Sequence, residues 1–128
     1  MKRTTFWIRF ALTAVVLLAL WGCSGGRGDR GGRGGPELVQ GGVIFRLYEP
    51  DAKRVYIVGT FNNWSPRSDP MVDRNGDGEY SLFYPLEAGR YEYKFVVDGT
   101  RWMPDPKNVL SVPDGFDGRN SVIQVPKR

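Results

Sequence analysis

Past residue 36 the chain is a series of short apolar runs broken by turn residues. Val43-Ile-Phe-Arg-Leu-Tyr48 alternates, placing Val43, Phe45 and Leu47 on one face of a predicted strand. Glu49-Pro-Asp-Ala-Lys53 predicts a turn, because proline presets φ and the aspartate side chain bonds its own backbone. Residues 54–58 read as the next strand, and Asp73-Arg-Asn-Gly-Asp-Gly78 as a tight connection into a strand over 79–84. Leu86-Glu-Ala-Gly89 turns the chain into a strand over 90–97. There Tyr91, Tyr93, Phe95 and Val97 share the core face, and Lys94 faces away. Asp98-Gly99 predicts a two-residue hairpin, and residues 121–125 a final strand. After Gly22 no stretch of 10 residues has helical periodicity. Short strands at regular spacing predict an all-β chain folded as an antiparallel β-sandwich.

The first 36 residues follow a different pattern. Met1-Lys-Arg-Thr-Thr-Phe-Trp-Ile-Arg9 is basic, and the 11 residues 10–20 are apolar. A bilayer span needs about 20 apolar residues, so residues 1–22 read as a secretory signal peptide, to be left out of the fold. The single cysteine, Cys23, follows in Leu20-Trp-Gly-Cys-Ser24. This resembles a bacterial lipobox, departing from it at Trp21, where a small residue is usual. The resemblance implies cleavage before Cys23, a diacylglycerol on its thiol, and anchoring in the cell envelope. With Ser24 next, it implies the outer membrane if the host is Gram-negative. One leftover cysteine has no partner for an internal disulfide, and several acyl chains anchor where one binds only marginally. Residues 23–36 are glycine and arginine with nothing apolar to pack, and read as a flexible tether. Within it, Arg27-Gly28-Asp29 spells an integrin-binding tripeptide, which a run of Arg and Gly produces by coincidence.

Charge and composition narrow the function. The net charge of +4 comes from the leader and tether; from Glu37 onward 12 basic side chains face 13 acidic ones. A nucleic-acid partner wants a basic stripe on the domain itself, and none is apparent. With no histidine anywhere, no Ser–His or Cys–His nucleophile is possible. Asp69, Asp98, Asp105, Asp114 and Asp117 all stand in turn-like sequence beside Pro or Gly, which accounts for each without glycoside hydrolysis. Asp73-Arg-Asn75-Gly-Asp77-Gly78 begins like an EF-hand calcium loop. The position that must hold a bidentate glutamate is Tyr84, so the segment reads as a turn and no metal is expected. The chain reads as a non-enzyme with no cofactor.

Three segments carry the remaining chemistry. Val55-Tyr-Ile-Val-Gly-Thr-Phe-Asn-Asn-Trp-Ser65 runs from an apolar strand into a polar loop that presents a tryptophan. Tyr91-Glu-Tyr-Lys-Phe-Val-Val-Asp-Gly-Thr-Arg-Trp102 repeats the pattern, and Asp117-Gly-Arg-Asn-Ser-Val-Ile-Gln-Val125 closes the chain. Flat aromatic faces stack on the C–H face of a pyranose, while amide and charged groups bond its hydroxyl rim. Trp64 and Trp102 stand beside Asn, Pro and Asp, where a tryptophan is at least partly exposed. The alternative is that both are core packing.

From Glu37 to Val125 the chain resembles the glycogen-binding domain of the AMP-activated protein kinase beta subunit. It also resembles the wider family 48 carbohydrate-binding modules found beside starch-branching and debranching enzymes. That resemblance implies an early-set, immunoglobulin-like sandwich over residues 37–128. It implies stacking roles for Trp64 and Trp102, hydroxyl bonding by Lys94, and a site role for Asn120. Phe116 falls where the family has a leucine that threads against the glucan. Gly118 falls where a threonine is often found, so that contact is missing. The function implied is a lipid-anchored α-glucan-binding module for glycogen, starch or maltodextrin. The alternative is an envelope module of the same fold whose exposed tryptophans meet a protein partner.

Overall fold

The computed structural model describes residues 35–128. The predicted signal peptide, Cys23 and the predicted tether up to residue 34 lie outside the described residues. Two antiparallel sheets form an immunoglobulin-like sandwich. The first contains β1 (Glu37–Val39), β2 (Gly42–Tyr48) and β4 (Glu79–Pro85), in the order β1-β2-β4. The second contains β3 (Val55–Gly59), β5 (Gly89–Val97), β8 (Arg119–Val125) and β7 (Ser111–Pro113), in the order β3-β5-β8-β7. A short β6 (Arg101–Met103) pairs with the far end of β5. No helix among the described residues is long and apolar enough to cross a membrane.

Alternation explains the core. Val43, Phe45 and Leu47 of β2 turn inward and meet Val55 and Ile57 of β3 and Tyr93, Phe95 and Val97 of β5, all buried. Phe45 and Tyr93 join the two sheets edge to face, with ring centroids 4.8 Å apart. Both strand runs therefore face the core as the sequence predicts, with Tyr91 packed at its margin.

The sequence pattern misses β1, β6 and β7, each three residues long and short of a readable alternation. Pro113 ends β7 at the sheet edge, where a missing N–H leaves no neighbour unpaired. The predicted two-residue hairpin is a three-residue turn, because Val97 pairs with Arg101. Asp98 and Gly99 both take positive φ, 52° and 75°, and Thr100 N–H returns to Val97 O at 3.3 Å. The reason lies across the fold: Asp98 Oδ1 accepts the N–H groups of Lys53 and Arg54 at 2.8 and 2.9 Å, so the turn also caps the start of β3.

Candidate functional site

The outer face of the second sheet collects the candidates. Because Tyr93, Phe95 and Val97 point inward, Lys94 and Val96 point outward. Val96 pairs with Tyr56 and with Trp102, and Lys94 pairs with Val58, so these five share the outer face. Tyr93 pairs with Ser121, whose side chain is in the core, so its neighbour Asn120 also turns outward, beside Val112. Val58 and Val96 are nonetheless fully buried. The face is thus roofed by its own larger side chains, with Trp102 and Tyr56 flanking Val96 in register. Trp102 itself is 45% exposed and Asn120 is half-buried.

Trp64 arrives from β3 by a tightly held loop. A 3₁₀ turn, Thr60–Asn62, follows Gly59. Asn62 Oδ1 accepts the Gly59 N–H at 2.9 Å, and its Nδ2 donates to Ile57 O at 3.0 Å and Asp69 Oδ2 at 2.7 Å. Trp64 N–H donates to Gly59 O at 3.0 Å. Asn63 and Trp64 are both left-handed, with φ of 54° and 57°. Asparagine tolerates that region; for a bulky residue it costs about 1–3 kcal/mol and persists only where surrounding bonds enforce it. Glycine is required at 59 for space: a Cβ would lie 2.5 Å from Glu92 O and 2.7 Å from the Phe61 ring. Trp64 is half-buried, at the end of β3 where Gly59 pairs with Tyr93. Along β5, that row and the Trp102–Val96 row are three residues apart, about 10 Å.

Phe116 is 89% exposed on the turn between β7 and β8. Asp114 builds that turn. Its Oδ1 accepts the N–H groups of Phe116 and Gly118 at 2.7 and 3.0 Å, and its own N–H donates to Gly118 O at 3.0 Å. Its Oδ2 accepts Lys94 Nζ at 2.5 Å, and the two side chains are only 11% and 13% exposed. The Lys94 ammonium, then the Phe116 N–H, hold the Asp114 carboxyl down at about 2. Lys94 therefore leaves the core face as predicted, yet is a paired cation rather than a free one.

The predicted residues Lys94, Trp102 and Asn120 thus lie on one sheet face. Phe116 stands on a loop tied to that face through Asp114, and Trp64 on a loop rooted in β3. Sequence reasoning missed the side chains that hold these loops. Asn62 and Asp114 each look like ordinary turn residues, and the available signal was an Asn or Asp next to a tight bend. At the rim, Val109 and Leu110 are 94% and 57% exposed. The calcium-like segment is a turn: Asp73 Oδ1 and Oδ2 accept the N–H groups of Gly76 and Gly78 at 2.8 and 2.9 Å. Among the described residues no cluster of three or more Cys, Asp or Glu side chains could hold a metal.

Residues 43–128 match the family model described as the glycogen recognition site of AMP-activated protein kinase. The chain is also similar to the 1,4-alpha-glucan branching enzyme GlgB of Pseudomonas putida, 46% identical over 66 residues, covering 50% of this chain and 9% of the enzyme. The corresponding enzyme of Ralstonia nicotianae is 42% identical over 64 residues, covering 45% and 8%. That of Cereibacter sphaeroides is 38% identical over 80 residues, covering 59% and 11%. The chain thus spans about a tenth of the length of these curated relatives.

Proposed function

This chain belongs to the family of the glycogen recognition site of AMP-activated protein kinase, and from that premise we propose that it is a non-catalytic α-glucan-binding module, anchored by lipid at Cys23. The observation that carries the reading is the outer face of the second sheet. It sets an exposed indole, Trp102, an ammonium, Lys94, and a carboxamide, Asn120, on one surface, with Phe116 projecting beside it. An aromatic plane takes the apolar face of a glucose ring, and the polar pair takes its hydroxyls. Trp64 adds a second aromatic from the loop at the end of β3. The match of residues 43–128 to a family model described as a glycogen recognition site supports binding.

The test is affinity electrophoresis of the full chain in mild detergent through gels containing soluble amylose. Wild type should be retarded and Trp102→Ala should migrate as in a blank gel. Equal migration of both proteins in both gels would reject glucan binding.

A second reading, docking of a protein partner, is favoured by the exposure of Tyr48 and Phe83 on the first sheet's outer face, at 59% and 50%. Its mark would be capture of a protein that survives Trp102→Ala and is lost in Phe83→Ser.

A further inference from the structure

We propose that Asp114 sets the charge selectivity of this face: paired with Lys94, it forms a neutral donor–acceptor dyad that takes uncharged vicinal hydroxyls and turns away anionic polysaccharides. The proposal rests on the glucan-binding reading. It starts from the Nζ–Oδ2 contact of 2.5 Å between two nearly buried side chains.

An unpaired lysine on a sugar-binding face would be a cationic site, attracting carboxylate- and phosphate-bearing glycans at least as well as neutral ones. Asp114 cancels that charge. Arg90 is paired with Glu92 at 3.5 Å and Arg101, at the face's edge, with Glu49 at 2.8 Å, while Arg119 beside Asn120 donates to Ser111 rather than to a carboxylate. What remains at the Lys94–Asp114 pair is hydrogen-bonding capacity. An ammonium has three donors, and Asp114 takes one. Each carboxylate oxygen has about two acceptor sites. Those of Oδ1 are filled by the Phe116 and Gly118 N–H groups, while Oδ2 keeps one beside Lys94. The dyad thus offers a donor to one hydroxyl and an acceptor to the next, which suits a vicinal diol and repels a carboxylate.

Gly118 makes room for this arrangement. A Cβ there would lie 2.4 Å from Asp114 Oδ2 and 3.2 Å from its carboxyl carbon. Any side chain at 118 would push the carboxylate off Lys94.

The full chain in mild detergent, run in gels of soluble amylose and of carboxymethyl-amylose, tests the proposal. Wild type should be retarded by amylose and not by the anionic polymer. Asp114→Asn, which keeps an acceptor for the turn, should bind amylose about tenfold less tightly, the loss of one charge-assisted contact, and should now be retarded by carboxymethyl-amylose. Gly118→Ala, which displaces the carboxylate with Asp114 itself unchanged, should give the same shift in preference, and it decides the matter if Asp114→Asn melts early. Adding Lys94→Met to Asp114→Asn should abolish the new anionic retardation. Wild type held equally by both polymers, or both single variants keeping the wild-type preference, overturns the role of Asp114. Wild type held by neither polymer overturns the glucan reading with it. Wild type held by amylose and released by Trp102→Ala leaves that reading standing, so a failure at Asp114 is then its own.

Discussion

The Tyr93 hydroxyl donates to Asp105 Oδ2 at 2.8 Å, with Tyr93 wholly buried and Asp105 4% exposed. Asn108 Nδ2 donates to the same tyrosine oxygen at 3.0 Å and to Val122 O at 2.8 Å, and Asp105 N–H donates to Ser121 Oγ at 2.7 Å. Burial pushes the Asp105 carboxyl and the Tyr93 phenol both upward. A buried network of this kind holds only while each member is satisfied. This one ties β5 and β8 to the link between β6 and β7, which carries the exposed Val109 and Leu110 at the rim. Asp105→Ala removes the acceptor of a buried hydroxyl, and a loss of about 1–3 kcal/mol is expected. Chemical denaturation reads it directly; an unchanged midpoint would mean that water replaces the carboxylate.

The tryptophans should separate by burial. Trp102 is 45% exposed but flanks the buried Val96, so Trp102→Ala should remove glucan binding at a stability cost of about 1 kcal/mol. Trp64 is half-buried on a strained loop, and Trp64→Ala should lower both. An aromatic anchor of a binding site is worth about 2 kcal/mol or more, roughly 30-fold in affinity. Asn120→Ala, losing one neutral hydrogen bond of about 1 kcal/mol, should weaken binding only about fivefold. Titration with maltoheptaose beside thermal melts checks the ranking. Trp102→Ala unfolding with no loss of affinity per folded molecule would return both indoles to a packing role.

What the sequence showed follows from what alternation can encode. A strand of seven or nine residues writes its inward face twice or more, so Val43, Phe45 and Leu47 and the Tyr93-to-Val97 row were legible. Alternation also put Lys94 on the outer face, which is why the candidate surface was partly readable before any contact was known. It could not show that Val58 and Val96 on that face would be buried, because roofing depends on which strand lies alongside. Nor could it find the ion pair: Lys94 and Asp114 stand 20 residues apart, and only the β5-β8-β7 order brings them together. Asp98 hid its role in the same way, since its acceptors' partners at Lys53 and Arg54 are reached across the fold.

Anchoring at Cys23 is a proposal from the sequence alone, on the apolar run that precedes Leu20-Trp-Gly-Cys23. The expressed full-length chain should partition with membranes, and its mass should show cleavage before Cys23 and added acyl chains. Cys23→Ser should release it or leave it as precursor. One acyl chain would give only reversible attachment, so stable partitioning itself requires more than one. An unmodified Cys23 in the membrane-extracted protein would end the lipoprotein reading, and slow processing relieved by Trp21→Ala would trace the delay to that departure from the motif.

Acid should loosen the fold in a defined window. Lys94 holds the Asp114 carboxyl at about 2, the N–H groups of Arg54 and Lys53 lower that of Asp98, and the Gly78 N–H lowers that of Asp73, against an ordinary value of 3.8. Where the folded value lies below the unfolded one, the unfolded chain takes up protons that the folded chain refuses. The stabilisation from these groups is therefore complete above about pH 4 and is lost as pH falls from there toward 2. Asp105 has the opposite sign: its carboxyl is raised by burial, so its ionisation weighs against the fold above the ordinary value, and protonation relieves that as pH falls toward 3.8. Stability should thus pass through a maximum on the acid side of neutrality and then drop. Asp114→Asn should flatten the fall between pH 4 and 2, and Asp105→Asn should flatten the rise above it. Urea unfolding across pH 2 to 7 measures both slopes. An Asp114→Asn curve parallel to wild type through the acid limb would mean that the Lys94–Asp114 pair adds nothing to the folded state.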